Sequence, residues 1–167
     1  KNAFIAWDAD LPQCLKTDKK FNRLTVDADS CSRILSNNPK FSIINYDKMD
    51  DRWEYTNILI DFCIKNEVTI FLDESHRIKG RKGVQSRNTL QLGPYAHNRL
   101  IMSGTPLPNS AEDLVTQFTF LYPDKYVTRD NVIDHMNKVY VRTTKKELGL
   151  PDRNLKIQAV PMSPSQS

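Results

Sequence analysis

Short apolar runs, each ending in polar residues, alternate along this chain with stretches of helical spacing. Phe41-Ser-Ile-Ile-Asn-Tyr46 stands behind the turn signal Asn37-Asn-Pro39 and predicts a short buried strand. From Tyr55 to Glu67 the apolar residues Ile58, Leu59, Phe62 and Cys63 recur every three or four positions, so this stretch reads as a helix. Val68 to Leu72 is β-branched and apolar without alternation, the pattern of a strand buried on both faces in a parallel sheet. It stops abruptly at Asp73-Glu74-Ser75-His76. Arg99-Leu-Ile-Met102 reads as a second such strand and runs into Ser103-Gly-Thr-Pro106. A helix follows from Ser110, where Ser110 and Asp113 have capping-box spacing and Leu114, Val115, Phe118 and Leu121 form an apolar stripe. Strand, helix, strand, connection, strand, helix predicts an α/β fold, a parallel sheet flanked by helices with right-handed crossovers. In such sheets the sites gather just past the carboxyl ends of the strands.

Composition narrows the picture modestly. At 167 residues, 39% hydrophobic and 26% charged, the chain has material for one packed domain and is too apolar for a disordered tail. Lys and Arg number 24 against 20 for Asp and Glu, and the net charge of +4 permits an anionic partner without requiring one. No apolar run approaches the ~20 residues that span a bilayer, and no basic-then-apolar leader opens the chain. No membrane partner and an intracellular location, in cytoplasm or nucleus, are expected. Cys14, Cys31 and Cys63 are odd in number and form no CxxC pair, which argues against a disulfide framework and a zinc site. His97 and His135 stand without metal-ligand spacing and read as surface or packing residues. The Ser/Pro-rich stretch 161–167 reads as a linker.

Two strand ends carry the candidate chemistry. A carboxylate such as Asp73 at a strand end is placed to hold Mg²⁺, a hard cation that prefers carboxylate and phosphate oxygens. A second carboxylate beside it, Glu74, can polarise the water that attacks a γ-phosphate. The bland alternative is a solvated acidic turn. At the next strand end, Gly104 allows close backbone approach and the hydroxyls of Ser103 and Thr105 can bridge to a neighbouring element; alone, this segment would be a turn before a helix. Together, some 30 residues apart and each on its own strand end, the two are far more specific.

With these residues in view, Phe71-Leu-Asp-Glu-Ser-His-Arg-Ile-Lys79 resembles the Walker B segment (motif II) of the Swi/Snf-related helicase-like ATPases, a branch of helicase superfamily two. Arg99-Leu-Ile-Met-Ser-Gly-Thr-Pro-Leu-Pro-Asn109 resembles their motif III, and the segment through Phe120-Leu-Tyr-Pro123 their following helix. Ile44-Asn-Tyr46 is similar to the strand that ends in Tyr before motif II; Val141-Arg-Thr-Thr-Lys145 with Leu150-Pro151 is similar to the stretch leading to the hinge. Trp7 resembles, more faintly, the tail of motif Ia. The resemblance implies an ATP-dependent helicase or translocase on DNA, double-stranded in preference to single-stranded, with ATP and Mg²⁺. Asp73 would hold the metal, and Glu74 would be the catalytic base. His76, Ser103, Gly104 and Thr105 would couple the nucleotide site to DNA, and Tyr46, Lys79 and Asn109 would lie nearer the nucleic acid. Residues 1–160 would form the latter two-thirds of the first RecA-like lobe, a partial P-loop NTPase lobe. Residues 161–167 would begin the linker to a second RecA-like lobe, which supplies an arginine finger.

Two departures stand out. Ser75 occupies a position where the family usually has Ala, and no Gly-x4-Gly-Lys-Ser/Thr loop occurs in these 167 residues. Gly80-Arg-Lys-Gly83 has the wrong spacing and place for that loop and reads as a flexible basic loop. The missing loop keeps a second reading open, a non-catalytic RecA-like module that docks nucleic acid or protein.

Overall fold

The computed structural model describes residues 2–15, 21–50, 53–80, 83–104, 110–143 and 147–149. Thr105, Asn109, the Arg81-Lys82 pair, Lys145 and the 161–167 linker, all singled out above, lie outside the described residues.

Helix α1 (Asn2–Leu15) precedes strand β1 (Asn22–Arg23) and helix α2 (Ala28–Ser36). Strand β2 (Ser42–Ile43), helix α3 (Glu54–Lys65), strand β3 (Thr69–Leu72), helix α4 (Val84–Leu92) and strand β4 (Asn98–Ile101) follow, then helices α5 (Ala111–Leu121) and α6 (Val132–Asn137). Asp27 opens α2 by accepting a hydrogen bond from the Ser30 amide at 2.8 Å, which satisfies one of the helix's first free N–H groups. The architecture is α/β, as the alternation of apolar runs implied.

The single sheet expected from the sequence is instead two small parallel pairs among the described residues, β1 with β2 and β3 with β4. The run 41–46 supplies only Ser42–Ile43 as strand, because Tyr46–Lys48 closes into a 3-10 turn. β3 and β4 lie in register from Thr69↔Asn98 to Leu72↔Ile101. They are not buried on both faces. Phe71 is 57% and Leu100 44% exposed, since the described helices cover one side of this pair and leave the other open. The largely apolar run Val68–Leu72 therefore masks an alternation of exposure.

Two larger clusters build the core. Leu24, Cys31, Leu35, Met49, Tyr55 and Leu92 pack between α2, α3 and α4, and Leu114, Val115, Phe118, Val127, Val132 and Met136 join α5 to α6. Leu72, Ile78 and Phe120 form a third, smaller cluster directly beneath the carboxyl end of β3. His135 packs its ring against Phe118 at 5.5 Å between centroids. Cys31 and Cys63 are buried free thiols and Cys14 is exposed; burial pushes the Cys63 thiol up to about 11.

Helix α5 begins where the sequence put it, with one correction. Ser110 is the N-cap residue, but its side chain makes no capping hydrogen bond, and Asp113 is buried instead of reaching back to it. The cause is depth: from Asp113 through Phe118 every residue is buried, so from its third residue on the helix faces protein on nearly every side. At its other end, Arg99 of β4 closes the helix. Its Nε donates to the Leu121 carbonyl at 2.9 Å, and Nη1 donates to the carbonyls of Gly93 and Ala96 at 2.7 and 2.9 Å. A cation on a helix's last carbonyls opposes the negative end of its dipole. Arg99→Ala strands three carbonyls, and it is expected to lower unfolding stability by about 3 kcal/mol in urea titration. A loss below about 1 kcal/mol would show that water replaces the guanidinium freely.

Candidate nucleotide-hydrolysis site

Parallel pairing puts both signal segments at one end of one strand pair. Leu72 and Ile101 are register partners, so Asp73 and Ser103 emerge past the same carboxyl edge. The backbone then ties the segments together: the Met102 amide donates to the Leu72 carbonyl at 2.8 Å, and the Ser75 amide donates to the Met102 carbonyl at 2.9 Å.

Beyond Leu72 the chain turns sharply. Asp73 Oδ1 accepts from the Glu74 amide at 2.9 Å, and Glu74 adopts φ 49°, ψ 49°, the left-handed region that a residue with a Cβ occupies only at a cost. Ser75–Ile78 continues as a 3-10 turn, with Ser75 and Ile78 buried beneath it. The turn lifts Asp73 and Glu74 into solvent, and Glu74 is 57% exposed. His76 Nδ1 lies 3.0 Å from Ser103 Oγ and 3.3 Å from Glu74 Oε2, so one imidazole touches both strand ends.

Tyr46, expected near nucleic acid, stands under the turn. Its hydroxyl donates to the Asp73 carbonyl at 2.9 Å, and the Arg77 guanidinium lies 5.7 Å from its ring centre. Burial, reinforced by the neighbouring Asp73 carboxylate, holds this phenol well above its usual range, so it remains a donor at physiological pH. Lys79 is exposed at the end of the 3-10 turn, just before Gly80, which has a φ of +73°. Gly104 is also exposed; among the described residues a Cβ there would meet nothing within 4 Å, so the close approach expected of it is not made by them.

Three further residues join the site, Ser75 from within the Asp73–His76 segment and Trp7 and Gln117 from outside both strand-end segments. Trp7 of α1 donates its indole N–H to Asp73 Oδ2 at 3.2 Å. Ser75 Oγ donates to Gln117 Oε1 at 2.7 Å, with both residues fully buried. Gln117 Nε2 in turn donates to the Asp113 carbonyl at 3.2 Å.

The donor set fits Mg²⁺. Asp73 and Glu74 are adjacent, exposed, hard oxygen donors, and each Asp73 oxygen also accepts one hydrogen bond, from the Glu74 amide and the Trp7 indole. A cation held by one or two carboxylates that keeps several waters and takes further oxygens from phosphate matches that arrangement.

A family match agrees with this geometry. The chain belongs to the SNF2-related domain family, which matches residues 41–167. Among curated proteins, it is similar to the ISWI chromatin-remodeling complex ATPase ISW2 of Saccharomyces cerevisiae, with 42% identity over 55 residues, 33% of this chain and 5% of that protein. It is similar to the human SWI/SNF-related matrix-associated actin-dependent regulator of chromatin subfamily A member 1, 29% identical over 99 residues, 54% of this chain and 9% of that protein. The DNA annealing helicase and endonuclease ZRANB3 of Bos taurus is 33% identical over 64 residues, 38% of this chain and 6% of that protein. The chain thus spans less than a tenth of the length of these relatives. No described helix is long and apolar enough to cross a membrane.

Proposed function

We propose that this chain is the latter part of the first RecA-like lobe of a longer protein, one that couples ATP hydrolysis to movement along double-stranded DNA inside the cell. The observation that supports this most is the meeting of the two strand ends, with His76 between Glu74 and Ser103. When bound, Mg²⁺ would be held at Asp73 and would offset the negative charge of the transferring phosphate. Glu74 beside it orients and polarises the attacking water. His76 and Ser103, with Gly104 and Thr105, pass the state of the nucleotide to the DNA side, because one imidazole cannot leave Ser103 without altering its contact to Glu74. Lys79 and Asn109 would lie toward the DNA, where contacts go to the sequence-independent phosphate backbone. Residues 161–167 lead to the second RecA-like lobe.

A non-catalytic docking module is the second reading, favoured by the lack of a Gly-x4-Gly-Lys-Ser/Thr loop in these residues. The exposed carboxylate pair on a strained turn weighs against it, since docking gives that strain no use. Displacement of a third strand from a DNA triplex by the longer protein separates the two. The motor reading predicts ATP-dependent displacement, and Ser103→Ala is expected to keep half or more of the phosphate release, roughly, while displacement falls about tenfold. Displacement that needs no ATP, or none at all, contradicts it.

A further inference from the structure

The buried pair Ser75–Gln117 is unexplained by the roles assigned so far. Neither side chain reaches solvent, so neither touches nucleotide or DNA. Yet Ser75 directly follows Glu74, the residue held in the left-handed region. Such a conformation persists only where its surroundings over-determine it. On the Asp73 side, the restraints are the Tyr46 hydroxyl on the Asp73 carbonyl and the Asp73 carboxylate on the Glu74 amide. On the Ser75 side they are the Ser75 amide on Met102 and the Ser75 hydroxyl on Gln117.

Ser75 and Gln117 have no solvent-accessible surface, so a hydroxyl parted from Gln117 has no water to turn to, and the cost of leaving it unpaired falls on the turn that carries Glu74. Gln117 is itself anchored, because its amide donates one turn back along α5 to the Asp113 carbonyl. Helix α5 thus meets the carboxylate turn both by packing, Phe120 against Ile78 and Leu72, and by the buried Ser75–Gln117 hydrogen bond, which in a low-dielectric surrounding is stronger and more costly to leave half-made than at the surface.

We infer that Gln117 is a positioning residue for hydrolysis: through Ser75 it fixes the left-handed turn that aims the Glu74 carboxylate. The inference rests on the ATPase reading and extends it to a residue on a different element from the carboxylates. It gives the Ser75 hydroxyl a role, as the donor to Gln117.

The test uses the longer protein with Gln117→Leu, Ser75→Ala and the two combined. Each single change is expected to lower kcat for ATP about tenfold while KM for ATP stays within about twofold, because aim and not binding is lost. The double variant should fall no further than the worse single, since both changes break one bond. Amide exchange at residues 74–78 should quicken about tenfold in each single variant, while α3 keeps its protection. Ser75→Ala removes one atom, and it carries the test alone should Gln117→Leu fail to fold. An unchanged kcat in a folded variant, losses that multiply in the double, or unaltered exchange at 74–78 would overturn the inference. If the parent releases no phosphate, the ATPase reading fails, and the exchange measurement still decides whether Gln117 holds the turn.

Discussion

Glu74→Gln in the longer protein is expected to leave ATP affinity within about threefold of the parent and to cut turnover by roughly 10²-fold or more, the usual worth of a positioned general base. The amide keeps the shape of the side chain and its reach toward His76 but cannot accept a proton from water. Asp73, where Mg²⁺ would sit, is untouched, and its hydrogen bond from the backbone amide of residue 74 does not depend on the side chain there. Binding and turnover should therefore separate. Equilibrium binding of a fluorescent nucleotide with single-turnover phosphate release measures both. Hydrolysis at the parent rate would remove Glu74 from the mechanism; loss of nucleotide binding would make its role structural.

The second large effect concerns the 167 residues by themselves, which are expected to release no measurable phosphate from ATP. Phosphoryl transfer is catalysed almost wholly by positioning and charge. A Gly-x4-Gly-Lys-Ser/Thr loop, absent from these residues, is a main positioning element, and an arginine finger from a second lobe is worth ~10³ or more in rate. Without them Asp73 and Glu74 face no fixed phosphate. Salt-sensitive DNA binding should persist in the same preparation, since backbone contacts need only basic surface. Phosphate release by the purified chain that disappears in its Glu74→Gln variant would show that the two carboxylates suffice on their own.

Much of this site was readable because its two halves are local in sequence. Asp73-Glu74-Ser75-His76 and Ser103-Gly104 each follow an apolar strand without interruption, and parallel pairing of β3 with β4 then brings them together. What stayed hidden is what depends on a partner distant in sequence. Gln117 reaches Ser75 across 42 residues, and no spacing rule connects a helix glutamine to a strand-end serine. Trp7 meets Asp73 across 66 residues by the same kind of tertiary contact. Tyr46 looked like a strand end, but it lies in a 3-10 turn whose hydroxyl supports Asp73. The strands misled in the opposite sense. Val68–Leu72 shows no apolar-polar alternation, yet burial depends on what covers each face, and among the described residues only one face is covered. The capping box at Ser110 failed for a related reason: burial of α5 on nearly all sides draws Asp113 inward.

Steady-state phosphate release by the longer protein, with and without double-stranded DNA and with Glu74→Gln alongside, tests the central claim most directly. The account predicts release that rises severalfold, on the order of tenfold, when duplex DNA is added and that vanishes in the variant. Release indifferent to DNA, release that survives Glu74→Gln, or no release under either condition would contradict it.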